Sequence, residues 1–270
     1  MDGPTLLSGG HGLPLLVGTS GWQYRDWREA FYPPDVPLSR WLDYYAATFP
    51  TVENNGTFYR LAKPETFAAW RSRTPEGFLM AVKASRYLTH IRRLRDPGEP
   101  VGRLLTSCAG LGDRLGPVLL QLPPTMQADP GTLDQCLEEF ATRAAATAGL
   151  RERALRVCVE FRHESWWTPD VRQLLTRHNA ALCWADRRGR PLGPLWRTAD
   201  WGYLRLHEGA ASRWPRYGHQ ALKTWLSRIE DTWPPEADIF AYFNNDQHAA
   251  APADALALSA LWTRARPPGR

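Results

Sequence analysis

Eight short apolar segments recur along this chain roughly every 20 to 40 residues, and most are followed by a stretch with helical periodicity. The segments are Leu15–Thr19, Val52–Tyr59, Phe78–Lys83, Val118–Pro123, Val157–Arg162, Ala181–Ala185, Asp200–His207 and Asp238–Phe243. Between them, Trp41, Leu42, Tyr45 and Phe49 form an apolar stripe behind a candidate cap at Ser39. Pro64 opens a helix carrying Phe67 and Trp70, and Thr132-Leu133-Asp134-Gln135 has capping-box form before a helix to about Thr147. Thr168 caps a helix with Pro169 at its first position and Asn179 at its end. Further helices are predicted over Ala221–Ile229 and Asp254–Thr263.

Strands alternating with helices predict a parallel sheet. Eight such units in about 250 residues predict an α/β fold, a single (β/α)8 TIM barrel. An open doubly wound sheet usually carries a glycine-rich phosphate loop after its first strand, and Gly18-Thr19-Ser20-Gly21 lacks that spacing. No proline- or serine-rich linker divides the chain, so residues 15–263 are expected to form one barrel domain. Residues 1–14 are expected to be a flexible arm and residues 264–270 a frayed basic tail.

No apolar run approaches the 18 or so residues that a membrane span needs, and residues 1–14 lack the charged and apolar regions of a signal peptide. Cys108, Cys136, Cys158 and Cys183 show neither Cys-x-x-Cys nor zinc-ligand spacing. A cytoplasmic protein with free, reduced thiols is expected. The formal charge of +5 favours anionic partners mildly. Thirteen tryptophans exceed the usual share, and flat aromatic faces at a cleft stack on sugars or bases.

Barrel enzymes build their sites where strands end. Polar residues stand there in nearly every segment: Glu53 and Asn55, Lys83, Gln121, Glu160 and Arg162, Asp186, Arg205 and His207, and Asn244. Strands of a parallel sheet are covered on both faces, so inward charges must be paired or must build a site. An ion-pair network that merely plugs the barrel mouth is the structural alternative. Glu160 is the candidate general base or substrate ligand, and His207 its acid/base partner. Lys83, Arg162 and Arg205 would hold anionic groups. Glu53, Asn55, Tyr59, Gln121, Asp186 and Asn244 would contact the substrate as well, with His90, His163 and Trp166 from the loops.

A metal centre would need Glu53, Glu160, Asp186 and His207 together. Fixed cations on the same faces oppose it, so no metal or other cofactor is expected. Glu53 and Glu160 could also serve as paired glycosidase carboxylates. The expected partner is a small anionic or sugar-like substrate. A binder of single-stranded or damaged nucleic acid is the second class, motivated by Arg92-Arg93-x-Arg95 and the tryptophans.

A set of motifs in fixed order runs along the same segments: Thr19-Ser20-Gly21-Trp22, Val52-Glu53-x-Asn55-x-Thr57-Phe58-Tyr59-Arg60, Val82-Lys83-Ala84-Ser85-Arg86 with Thr89-His90, Leu120-Gln121-Leu122-Pro123-Pro124, Val159-Glu160-Phe161-Arg162-His163-x-Ser165-Trp166, Tyr203-x-Arg205-Leu206-His207 and Tyr242-Phe243-Asn244-Asn245. Together they resemble the YecE-like family, domain of unknown function 72, over about residues 15–262. The resemblance implies a TIM barrel and no established activity. It also implies a likeness to barrels that isomerise sugars or cleave abasic DNA with divalent metals. The chain departs from the pattern at Asn54, at Gly56 and in the segment from Gln247 to Ala255.

Overall fold

The computed structural model describes residues 15–151 and 154–265. Its strands are β1 (Leu15–Thr19), β2 (Thr51–Asn54), β3 (Leu79–Lys83), β4 (Leu115–Gln121), β5 (Val157–Glu160), β6 (Ala181–Arg187), a two-residue β7 (Arg190–Pro191), β8 (Gly202–Leu206) and β9 (Ile239–Phe243). All but β7 pair in parallel, in the order β1-β9-β8-β6-β5-β4-β3-β2, while β7 folds back antiparallel on the end of β6. Helices α1 (Trp41–Thr48), α2 (Gly56–Tyr59), α3 (Pro64–Ser72), α4 (Gly98–Cys108), α5 (Pro130–Ala146), α6 (Pro169–Arg177), α7 (His219–Thr232) and α8 (Ala250–Ala265) lie between the strands. The result is a nearly closed (β/α)8 barrel.

The last seam, between β1 and β2, is bridged by a side chain. The buried Tyr45 hydroxyl accepts from the Thr19 N–H at 2.8 Å and donates to the Thr51 carbonyl at 3.1 Å. It thus satisfies two backbone groups that a ladder would otherwise have paired.

Two cores follow from the alternation of side chains. Val17, Val52, Met80, Val82, Val118, Leu120, Val159, Leu182, Trp184, Leu204, Leu206 and Ala241 face the helices. Inside the barrel, small Ala81, Cys158, Ala181, Cys183 and Ala185 meet large Trp201, Tyr203, Phe240 and Tyr242. Small opposite large fills the interior without voids. The four thiols are free and buried. Among the described residues no helix is long and apolar enough to cross a membrane.

Several boundaries differ from the sequence expectation. β2 stops at Asn54, because local side-chain bonds capture the backbone beyond it. Asn54 Oδ1 accepts from the Gly56 N–H at 3.0 Å, and Thr57 Oγ1 donates to the Asn54 and Lys83 carbonyls. Residues 56–59 therefore coil into α2, and Tyr59 leaves the expected strand face for solvent, 82% exposed. The basic stretch after β3 holds a π-turn at Tyr87–Ile91 and then α4, a helix not among those expected. Gly98, Pro100 and Gly102 hide that helix from propensity, but Val101, Leu104, Leu105 and Cys108 bury one face of it.

α5 starts earlier than the capping-box form suggested. Asp129, not Thr132, is its cap, accepting from the Thr132 N–H at 3.0 Å with Pro130 at the first position. α1 begins at Trp41 after a 3-10 turn, without a cap from Ser39. Thr168 does cap α6, accepting from the Val171 N–H, and Asn179 follows its end in the left-handed region. The arm expected over residues 1–14 lies outside the described residues, as do residues 266–270 of the expected tail; Arg264 is helical.

Candidate active site

All eight long strands reach one end of the barrel with a polar residue at or just beyond their last position. Buried Arg205, on β8, sits between two fully buried carboxylates. Its Nη1 donates to Glu160 Oε2 at 2.6 Å and its Nη2 to Glu53 Oε1 at 2.9 Å. Glu53, on β2, also accepts from Tyr203 Oη at 2.6 Å and Ser20 Oγ at 2.8 Å. Glu160, on β5, accepts from Arg162 Nη2 at 2.5 Å and lies 3.2 Å from His207 Nε2. Asn244, after β9, places its amide nitrogen 2.8 Å from His207 Nδ1. With that amide donating, the ring proton of a neutral His207 sits on Nε2 and points at Glu160.

Lys83, at the end of β3, is nearly buried and donates from Nζ to Gln121 Oε1 at 2.7 Å. Its ammonium lies 4.3 Å from the centre of the Phe58 ring. His90 packs edge-on against the same ring at 5.0 Å and bonds Thr89 Oγ1 through Nδ1. Asn55 reaches only the Ser20 carbonyl, at 3.4 Å.

Charge states follow from these contacts. Burial alone would raise Glu53 and Glu160, but Arg205 beside both, Tyr203 on Glu53, and His207 and Arg162 on Glu160 hold both carboxyls below the usual range. Burial pushes Lys83 down to about 8, and Arg205 adds to it against the pull of Glu53 and Glu160. Burial also lowers His207, although Glu160 opposes that shift. Near neutral pH the network therefore holds two ionised carboxylates, a neutral imidazole and a lysine within reach of deprotonation.

Other expected residues stand elsewhere. Asp186 lies on the helix-facing side of β6, in parity with Leu182 and Trp184, and not inward as expected: its Oδ1 accepts from the His207 backbone N–H at 2.8 Å and from Tyr217 Oη at 2.6 Å, and its buried Oδ2 has no partner. His163 caps the turn Glu164–Trp166 through Nδ1, which accepts from the Ser165 N–H. Trp166 is fully buried among the helix-facing residues, stacked on Phe161 at 4.5 Å with its indole N–H on the Met126 carbonyl. Tyr59 stands in solvent, as described. The tryptophans as a set are core rather than cleft, and among them only Trp214 is exposed. Ser20, Tyr203 and Phe58 belong to the cluster although the sequence did not single them out. Tyr203 carried a signal, since it shares the alternate face with Arg205.

The four residues a metal centre would need do not gather. Arg205 occupies the space between Glu53 and Glu160, Asp186 faces Tyr217, and no cluster of three or more ligand-type side chains occurs among the described residues. The glycosidase arrangement meets the same obstacle, because one of its carboxyls must stay protonated and both of these are held ionised. A cleft of about 640 Å³ lies away from the mouth between α3, α4 and α5. Its Arg103 and Arg143 are already paired with Glu99 and Glu139, so it does not compete with the mouth as a site.

Asp186 gives the mouth a pH signature. Burial raises its carboxyl to about 7, against the pull of Tyr217 and of the backbone N–H groups of His207 and Glu208. A pKa raised in the folded state means that ionisation opposes folding. The penalty is absent below about pH 4, grows as the unfolded carboxyl ionises, and is complete above pH 7. Asp186→Asn keeps the accepting Oδ1 and replaces an oxygen that has no partner. The wild type is expected to lose on the order of 2 kcal/mol between pH 5 and 8 through this group, and the variant to lose little of it. Thermal melts of both proteins across that range measure the difference, and parallel pH profiles would refute the assignment.

The fold and the charged strand ends together define a (β/α)8 barrel with a buried ionic network across its C-terminal mouth. Residues 16–269 match the family described as protein of unknown function DUF72, and the chain belongs to that family. The UPF0759 protein YunF of Bacillus subtilis (strain 168) is 23% identical over 265 residues, spanning 86% of this chain and 89% of that protein. The UPF0759 protein YecE of Escherichia coli (strain K12) is 38% identical over 84 residues, 31% of either chain. A DUF72 family protein of known structure from Thermotoga maritima MSB8 superposes with a TM-score of 0.76 at 25% identity, covering 92% of this chain and 99% of that one.

Proposed function

We propose that this protein is an enzyme that acts on a phosphate-bearing or polyhydroxylated substrate at the barrel mouth by acid/base chemistry. The observation that carries the reading is the state of Arg162. One arm of its guanidinium holds Glu160, while its Nε is buried without an acceptor. A buried charged N–H without a partner is costly, and an anionic ligand oxygen satisfies it with a strong, charge-assisted bond. Lys83, Arg162 and Arg205 also outnumber Glu53 and Glu160 by one charge, so the mouth favours an anion.

In this reading Arg162 and Lys83 hold the anionic group, and Asn55, Gln121 and Asn244 orient hydroxyls. His207 moves the proton. Glu160 is too thoroughly paired to serve as a free base; it anchors Arg162 and His207. Isothermal calorimetry with inorganic phosphate tests the reading. The wild type is expected to bind, and Arg162→Ala to lose about 1.5–3 kcal/mol of binding free energy. No binding by the wild type, or an unchanged variant, would remove the basis for it.

One observation favours the second class, a nucleic-acid ligand. The loops after β2 and β3 expose Arg60, Arg86, Arg93 and Arg95 around exposed Tyr59 and Tyr87. That is the pairing of cations with stacking faces that single strands use. Titration with a single-stranded oligonucleotide separates the readings. A steep fall of affinity with salt favours the strand, and no binding at low salt leaves the small anion.

A further inference from the structure

This chain meets its need for positive charge almost wholly with arginine: thirty arginines stand against three lysines, Lys63, Lys83 and Lys223. Lys63 and Lys223 are exposed, and Lys83 alone of the three is buried. The two cation types differ in one decisive respect. A guanidinium never loses its proton in a protein, whereas an amine can, and then becomes a nucleophile. Arginine already supplies the permanent charges of the mouth at Arg162 and Arg205. A third permanent charge there needs no lysine.

The surroundings of Lys83 suit an uncharged amine. No carboxylate pairs with it among the described residues, and its hydrogen-bond partner is the neutral amide of Gln121. Phe58 covers one side of the ammonium. Of the charged groups around it, Arg205 from β8 and Arg162 beyond β5 disfavour the proton. Glu53 from β2 and Glu160 from β5 favour it, but Arg205 engages both. His90 packs edge-on against the same Phe58 ring, and burial, Lys83 and Arg86 all disfavour its protonation.

We infer that Lys83 is a nucleophile that forms a Schiff base with the carbonyl carbon of an anionic aldehyde or ketone whose charged group lies on Arg162. The step balances without an oxidant or reductant. The Nζ lone pair attacks the carbonyl carbon, the C–N bond forms, and the carbonyl π pair moves to oxygen, which takes a proton while the now positively charged nitrogen gives one up. The carbinolamine hydroxyl then leaves as water after a second protonation, and nitrogen gives up its own proton to leave the imine. His90 is the group this inference assigns to carry protons in and out. The inference rests on the proposed anion site and narrows its substrate class to carbonyl compounds.

Lysine scarcity makes the test clean, because only three side chains and the terminal amine compete for a label. The intact protein is incubated at pH 7 with pyridoxal 5′-phosphate, an aldehyde bearing a phosphate. Sodium borohydride then fixes any imine, and peptide mass mapping locates it. At pH 7 a group titrating near 8 is neutral about 300-fold more often than one titrating at 10.5. Label is therefore expected first on Lys83, well ahead of Lys63 and Lys223, and inorganic phosphate should compete for that position alone. Lys83→Arg is expected to lose this label. Label spread over Lys63 and Lys223 with Lys83 clear, alongside intact phosphate binding, would overturn the nucleophile and leave the anion site standing. Loss of both labelling and phosphate binding in the wild type would overturn the anion site as well.

Discussion

Arg205→Met is expected to destabilise the barrel by about 3–5 kcal/mol, as breaking a buried ion pair from one side does. Among the described residues the side chain removed is the only cation that touches both Glu53 and Glu160, and all three residues are buried. Two carboxylates would then face each other in a space closed to water, with only Tyr203, Ser20, Arg162 and His207 left to hold them. Total stabilities of such domains lie near 5–15 kcal/mol, so this one change removes a large fraction. Thermal melting should fall by about 10 °C. The pH dependence should also reverse. In the wild type both glutamates titrate below their unfolded value, so acidification below about pH 4.5 costs stability. Without Arg205, burial and mutual repulsion raise them, and lowering the pH from 7 to 5 should stabilise the variant. Adding Glu53→Gln and Glu160→Gln should recover most of the loss, because the uncompensated charge is the cause. A drop of under 2 °C at pH 7 would show that the network is not the keystone the distances make it.

The architecture was open to sequence reading because barrel strands are short, apolar and regularly spaced. Each of the eight parallel strands overlaps an expected segment, and the differences fall at their ends. Those ends are decided by groups that periodicity does not register. Asn54 and Thr57 close β2 with side-chain-to-backbone bonds, and Asp129 outcompetes the apparent box at Thr132. α4 escaped notice for a related reason. Glycines at 98 and 102 depress its propensity, but Gly102 lies against the Arg143 side chain, where α5 approaches. Contact between helices remote in sequence outweighs local preference there.

The site was legible in part, and the division follows strand parity. Glu53, Lys83, Glu160, Arg205 and His207 lie on alternate positions of strands whose other face carries the helix-facing core, so alternation alone aims them inward. Asp186 obeys the same rule in the other direction: it shares parity with the helix-facing Leu182 and Trp184, not with Ala181, Cys183 and Ala185, and on that side it meets the Tyr217 hydroxyl and the His207 N–H. Tyr59, His163 and Trp166 lie beyond strand ends, where a turn decides direction and no period applies. Sequence could place carboxylates and cations at one end of the barrel. It could not reveal that Arg205 saturates both carboxylates, and that fact shifts the chemical interest from Glu160 toward Lys83 and His207.

Gly18→Ala is expected to be the most disruptive small substitution in the barrel wall, costing about 3 kcal/mol or more through overpacking. The backbone torsions of Gly18 do not require glycine; close approach does. A Cβ there would overlap the Thr51 carbonyl oxygen across the β1–β2 seam and lie 3.1 Å from the Tyr45 hydroxyl. Neither neighbour can yield cheaply. The Thr51 carbonyl belongs to the β2 backbone, and Tyr45 is fixed by its bonds to both strands. Pushing the strands apart would also strain the Thr51 hydroxyl, which joins β2 to the Leu79 carbonyl and the Tyr242 hydroxyl. Tyr45→Phe probes the same seam from its other side. It leaves the Thr19 N–H and the Thr51 carbonyl buried without partners and should cost about 1–3 kcal/mol. Gly131→Ala is the matched control, since the nearest atom to its added methyl is 3.7 Å away in the first turn of α5, and it should be neutral. Equilibrium urea unfolding of the three variants gives the comparison. If Gly18→Ala unfolds at the wild-type midpoint, the seam is not held by close packing of β1 on β2, and the hydroxyl bridge is dispensable to the fold.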